Sequence, residues 1–132
     1  MDAPRPARIL VLDNEESMVE VIADSLERDG ALVVTGFTSS ADALEALEQD
    51  SFDLLITNLW MPRKTGLQVL EEARHLRPEM PMLVVTGDPT RESAGHCERL
   101  GACGYMLKPF LPDELQTRVL AILAAAAEKR SG

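Results

Sequence analysis

Short apolar runs alternate with amphipathic segments along the whole of this chain, and that rhythm restricts the fold more than any other feature. The runs cover residues 8–12, 31–37, 54–58, 82–86 and 104–107. They are nearly continuous in apolar character rather than alternating with polar residues, as strands are when both faces of their sheet are covered. The segments between them carry apolar residues at helical spacing. Over residues 17–29, Met18, Ile22 and Leu26 share a face, and Gly30 is a natural stop. Ser39 or Ser40 can cap a helix running to residue 48, with Ala43, Leu44 and Leu47 inward. Residues 66–77 set Leu67, Leu70, Ala73 and Leu76 on one stripe ahead of Pro78. Residues 91–100 form a further candidate, interrupted by Gly95, and residues 113–128 open on Asp113 as a cap and carry Leu115, Val119, Ile122 and Leu123. Strand and helix in strict alternation imply a parallel sheet with helices on both faces.

Length and charge bound what such a chain can do. At 132 residues it suits one domain with a real core. Thirteen basic against twenty-two acidic side chains leave a net charge of −9, and the basic residues form no cluster longer than Arg63-Lys64. That argues against a direct grip on nucleic-acid phosphates, which needs a dense positive face. The apolar stretch at 119–127 is far short of the roughly 20 residues of a membrane span, and the start lacks the apolar core of a secretory signal. A cytoplasmic location is expected. Cys97 and Cys103, with His75 and His96, match no familiar zinc spacing, so reduced and mostly buried thiols are expected.

In parallel α/β sheets, ligands bind beyond the carboxyl ends of the strands, where strand order reverses. Polar residues gather at those ends here: Asp13 and Asn14 after the first strand, Asn58 at the end of the third, Thr86 at the end of the fourth and Lys108 after the fifth. Taken singly, each has an ordinary explanation as a turn, a cap or a common Lys-Pro dipeptide. Taken jointly they describe a pocket.

The runs Ile9-Leu10-Val11-Leu12-Asp13-Asn14-Glu15-Glu16 and Phe52-Asp53-Leu54-Leu55-Ile56-Thr57-Asn58-Leu59-Trp60-Met61-Pro62, with Thr86 and Lys108-Pro109, resemble the receiver domain of two-component response regulators. The resemblance covers residues 8 to about 124. It implies a flavodoxin-like, doubly wound, five-stranded parallel sheet of order 2-1-3-4-5. A single domain over 1–132 is expected, with 1–7 as an N-terminal tail and 125–132 as the end of the last helix and a tail. It further implies that Asp13, Asn14, Asn58 and the Trp60 carbonyl occupy the positions of a Mg2+ site. Asn58 stands at the phospho-acceptor position, Thr86 and Lys108 at the phosphoryl-binding positions, and Tyr105 at the aromatic switch position. The Lys108-Pro109 bond is expected to be cis.

Two positions that the family fills with carboxylates hold amides. An acyl phosphate needs an anionic oxygen nucleophile and a metal to neutralise incoming charge. Asn58 offers a neutral amide with a delocalised nitrogen lone pair. Magnesium prefers carboxylates and water, so only weak Mg2+ binding is expected, with Glu15 as a spare ligand. Asp53 lies roughly 16 Å along an extended strand from Asn58, at the wrong end of the sheet, and nothing places Asp88 against Thr86 and Lys108.

The expected function is therefore non-enzymatic: phosphorelay signalling by partner binding, without phosphorylation at Asn58. A sensor histidine kinase or other signalling protein is the expected partner, and a homodimer through the fourth helix, fifth strand and fifth helix is a further option. Other readings are an engineered inactive form of an ordinary receiver, a passive scaffold, and a cofactor-binding flavodoxin-like protein. The last lacks a phosphate-cradling loop, since Asn14-Glu15-Glu16 is acidic. Asn14 beside Asn58 points to natural divergence, because inactivating a receiver needs only the acceptor changed. Without phosphate to draw Thr86 inward, an outward, solvent-facing Tyr105 is expected.

Overall fold

The two faces of the sheet are written into each strand by its side-chain alternation. In the computed structural model, which describes residues 5–28, 30–59, 61, 65–87 and 91–131 (backbone alone for 91–93, 130 and 131), five strands form one sheet. They are β1 (Ala7–Leu12), β2 (Leu32–Phe37), β3 (Leu54–Thr57), β4 (Met82–Thr86) and β5 (Gly104–Leu107). The order is β2-β1-β3-β4-β5 and every pairing is parallel. The helices are α1 (Glu16–Glu27), α2 (Ser40–Gln49), α3 (Gly66–Leu76), α4 (Arg91–Arg99) and α5 (Pro112–Ser131).

Successive side chains of a strand point to opposite faces, and the core divides accordingly. Leu10, Leu12, Leu55, Met82 and Val84 meet Ala43, Leu44 and Leu47 of α2, Val69, Leu70 and Ala73 of α3, and Cys97 of α4. Ile9, Val11, Leu54, Ile56, Leu83 and Val85 meet Ile22 and Leu26 of α1 and Leu115, Val119 and Ile122 of α5. The central strands β3 and β4 are buried at every position. A parallel sheet covered by helices on both sides needs that, because neither face meets water.

Local sequence sets most of the helix ends. Ser39 caps α2, its hydroxyl accepting the Asp42 N–H. Thr65 caps α3 in a reciprocal box: its hydroxyl accepts the Gln68 N–H, and the Gln68 side chain accepts the Thr65 N–H at 2.9 Å. That box places Gly66 against the segment following β3.

Three expectations need correction. α1 begins at Glu16, one residue early, from an extended Glu15 whose side chain makes no cap bond. α5 begins at Pro112, whose missing N–H and fixed φ suit a first helical position. Asp113 consequently lies inside the first turn rather than capping it, with its carboxylate 3.0 Å from Arg28 of α1. Of the two thiols, Cys97 is buried under α4 as expected but Cys103 is exposed, since it precedes β5 at the rim of the sheet.

The amino end of the sheet is held by a fork of hydrogen bonds. Arg8 of β1 donates from both terminal nitrogens to the two carboxylate oxygens of Asp50, each at 2.8 Å, and its guanidinium lies 4.8 Å over the Phe52 ring. The Arg8 bonds, with help from the Ser51 N–H, hold the Asp50 carboxyl down at about 2. Asp53 accepts the Arg8 N–H at 2.7 Å, which keeps it at this end, far from Asn58.

Candidate functional site

Backbone hydrogen bonds between strand ends assemble the pocket at the opposite, carboxyl end. The Asn58 N–H donates to Leu12 O at 3.0 Å, Lys108 N–H to Thr86 O at 2.8 Å, and Asp13 N–H to Phe37 O at 3.1 Å. These bonds carry the sheet ladder just past the strands, so the residues immediately after β1, β3 and β5 are held by neighbouring backbone. Asp13, Asn14, Asn58, Thr86 and Lys108 are brought together as their strand-end positions require.

Asp13 is the electrostatic centre. It is 1% exposed, and both of its carboxylate oxygens are engaged. One accepts the Glu15 N–H at 2.9 Å, and the other accepts from the Lys108 ammonium at 2.7 Å. The Lys108 side chain is only 15% exposed, its stem folded into the pocket. A buried carboxylate without a partner is strongly unfavourable, and charge-assisted bonds of this length are the stronger kind. The Lys108-Pro109 peptide is cis, as expected from the resemblance.

The amides take a secondary position. Asn58 is half-buried and its Nδ2 donates to Asn14 Oδ1 at 3.3 Å, while Asn14 itself is exposed. Thr86 is fully buried at the end of β4. Trp60, whose carbonyl was expected to complete the metal site, lies outside the described residues, as do Pro62 and Asp88.

Tyr105 departs from expectation. It is half-buried and packs against the core between the sheet and α2, α3 and α4, rather than turning fully to solvent. In register with Val84 of β4, its ring shares that strand's buried face and covers apolar surface there.

Gly66, which with Pro62 is expected from the sequence to hold the loop after the third strand, governs the geometry after β3. Its N–H donates to Leu59 O at 2.7 Å. A Cβ on Gly66 would stand 2.3 Å from the Asn58 carbonyl oxygen and 2.7 Å from Leu59 Cα. Only glycine permits this approach. The signal was legible in Thr65-Gly66-Leu67-Gln68, a capping-box spacing that begins seven residues beyond the acceptor position.

The response regulator receiver domain family matches residues 9–120. The chain belongs to that family. This receiver is 35% identical over 116 residues to the Bacillus subtilis alkaline phosphatase synthesis transcriptional regulatory protein PhoP, covering 88% of this chain and 48% of that one. It is 34% identical over 125 residues to the transcriptional regulatory protein CiaR of Streptococcus pneumoniae, covering 95% of this chain and 53% of that one. The chain spans about half the length of the curated relatives it matches. Among solved structures, a CheY-like receiver domain protein from Methanospirillum hungatei JF-1 superposes with a TM-score of 0.90 at 26% identity, covering 95% of this chain and 99% of that one. NtrX from Brucella abortus also gives 0.90, at 28% identity, covering 96% of this chain and 29% of that one.

The family implies a magnesium ion at this pocket, and the donor set does not suit one. Asp13 supplies the buried carboxylate, and an ammonium group already holds one of its oxygens. The other two side chains offer neutral amide oxygens, one of them accepting from its neighbour. Hard divalent cations favour anionic oxygens and water. Among the described residues, no group of three or more His, Cys, Asp or Glu side chains is arranged to hold a metal.

Proposed function

We propose that this receiver signals by binding a partner protein and does so without accepting a phosphoryl group at Asn58. The observation that carries the reading is the state of the pocket: a neutral amide at the acceptor position, and a Lys108 ammonium spent on Asp13 at 2.7 Å. In phosphoryl transfer to a carboxylate, the nucleophile is anionic and a metal and lysine neutralise the incoming charge. Here the amide nitrogen is non-nucleophilic, and no anionic side chain stands in its place. The receiver acts as a binding module rather than an enzyme.

A sensor histidine kinase or another signalling protein is the proposed partner, and self-association through α4, β5 and α5 is the proposed alternative use of the same region. Leu107 at the end of β5 and Leu111 just before α5, 52% and 65% exposed, supply apolar surface for either. The net charge of −9 disfavours direct contact with nucleic acid. Among the described residues no helix is long and apolar enough to cross a membrane, which is compatible with the cytoplasmic location proposed. The amide at Asn14 supports natural divergence over an engineered acceptor.

The test is incubation with acetyl phosphate and Mg2+ followed by intact mass measurement. The mass should stay unchanged, and affinity for a bound partner should be the same with and without the phosphodonor. A stable gain of one phosphoryl mass on an acidic residue would overturn the proposal.

A further inference from the structure

We propose that Lys108 stands in this chain where a divalent cation stands in a metal-binding pocket: its ammonium is the permanent charge partner of Asp13, and the site holds its folded arrangement independently of Mg2+. The inference rests on the reading of the pocket as a receiver site that does not react, and it concerns what replaces the reactive apparatus.

Three observations converge on it. Asp13 is 1% exposed and its two oxygens are already occupied, one by the Glu15 N–H and one by Lys108. The ammonium comes from a side chain itself mostly withdrawn from water, so the pair is not a loose surface contact. At the two other positions that the family fills with carboxylates there is no negative charge, since Asn14 and Asn58 are neutral and hydrogen-bonded to each other. One buried anion therefore faces one largely withdrawn cation. In a pocket with three carboxylates, a lysine leaves net negative charge for a metal to neutralise. With a single carboxylate, the lysine alone balances it, and a magnesium ion would have to displace the ammonium while gaining only neutral oxygens.

The pair is also a mechanical link. Asp13 follows β1 and Lys108 follows β5, at positions separated by two intervening strands in the sheet order. The Lys108–Asp13 bond therefore ties the end of β5 to the end of β1 across β3 and β4. It acts as a positioning residue, through Asp13.

The experiment is equilibrium unfolding of the full chain with ~10 mM MgCl2 or with NaCl of matched ionic strength, since a ligand that binds the native state raises its midpoint. The parent midpoint should be the same in both salts. Lys108→Met, which leaves Asp13 buried and uncompensated, should unfold at a lower midpoint that Mg2+ raises. The double variant Asp13→Asn with Lys108→Met removes both charges, so its midpoint should lie above that of the single variant and ignore Mg2+. If Lys108→Met fails to fold, the double variant decides: recovery of a folded, Mg2+-indifferent chain supports the proposal, and continued failure overturns it. A parent midpoint raised by Mg2+, or a Lys108→Met midpoint equal to the parent's and indifferent to Mg2+, also overturns it. A phosphoryl gain with unchanged midpoints would defeat the proposed function and leave this inference standing, whereas a Mg2+ response without phosphoryl gain would do the reverse.

Discussion

Replacing Gly66 with alanine tests whether the segment after β3 is held by close backbone approach. The added Cβ would lie 2.3 Å from the Asn58 carbonyl oxygen, 2.7 Å from Leu59 Cα and 3.1 Å from the Asn58 carbonyl carbon. Ordinary contacts between such atoms lie at about 3.5–4.0 Å, so relief requires a shift of about 1 Å or more. The atoms in the way are backbone, and the same backbone is fixed by Asn58 N–H to Leu12 O and Gly66 N–H to Leu59 O. Overpacking of this kind costs ~1–3 kcal/mol. Alanine's better helix propensity returns up to ~1 kcal/mol. The net loss is then about 1–2 kcal/mol, equivalent to about 4–8 °C in melting temperature for a chain of this length. Differential scanning calorimetry on Gly66→Ala and Gly95→Ala separates sterics from propensity. Gly95 lies within α4 and, among the described residues, its added Cβ would meet only the far end of Arg99 at 3.5 Å, so that variant should melt at or above the parent. If Gly66→Ala melts as high as the parent, the close approach does not constrain the site.

Asn58→Asp should introduce a Mg2+ response that the parent lacks, and Asn14→Asp added to it should enlarge the response, as read by calorimetric titration; no gain in the double variant would refute the placement of these residues around one pocket. The Asp50 carboxyl, lowered to about 2 from an ordinary value of 3.8 by the Arg8 bonds, contributes stability that is complete above about pH 4 and is lost as pH falls through about 2. Asp50→Asn should accordingly be less stable than the parent at neutral pH and equal to it below pH ~2 in acid-unfolding curves; a gap that persists at the lowest pH would contradict this. Cys103 should react rapidly with a colorimetric disulfide reagent in the folded protein, and Cys97, buried and with its thiol pushed up by burial, only on unfolding; equal rates would refute the assignment.

The sheet was legible because both periodicities were clean. Continuous apolar runs such as Leu54-Leu55-Ile56 announced strands covered on both faces, and the polar residue ending each run marked the carboxyl edge. Topology then followed from the resemblance, and the switch-point rule put Asp13, Asn58, Thr86 and Lys108 in one place. Pairing within the pocket was less legible. The sequence reading gave Lys108 a phosphoryl-binding position and did not pair its ammonium with Asp13. In the folded chain the ammonium forms a fully charge-assisted bond with Asp13, because burial makes an uncompensated carboxylate more unfavourable than a lost contact to an amide. Helix starts were misplaced by one residue where a proline or an extended glutamate, rather than a capping side chain, opened the helix. The direction of Tyr105 was decided by apolar surface next to β4 and α4, a tertiary quantity with no signature in neighbouring residues.

The Asp13–Lys108 pair joins positions 95 residues apart, and that separation bears on how the chain comes into being. Synthesised from its amino terminus, it would carry an exposed, hydrated Asp13 for ~5–20 s before Lys108 is added, at ordinary elongation rates. Throughout that interval, closing β1 into the sheet would bury an anion with no counter-charge. Early strands are thereby discouraged from settling into a compact partial product, and the last strand arrives with the group that makes closure favourable. Lys108→Met should accordingly refold more slowly than the parent in stopped-flow experiments if the charge on the last strand favours closure, and equal refolding rates would show that it does not.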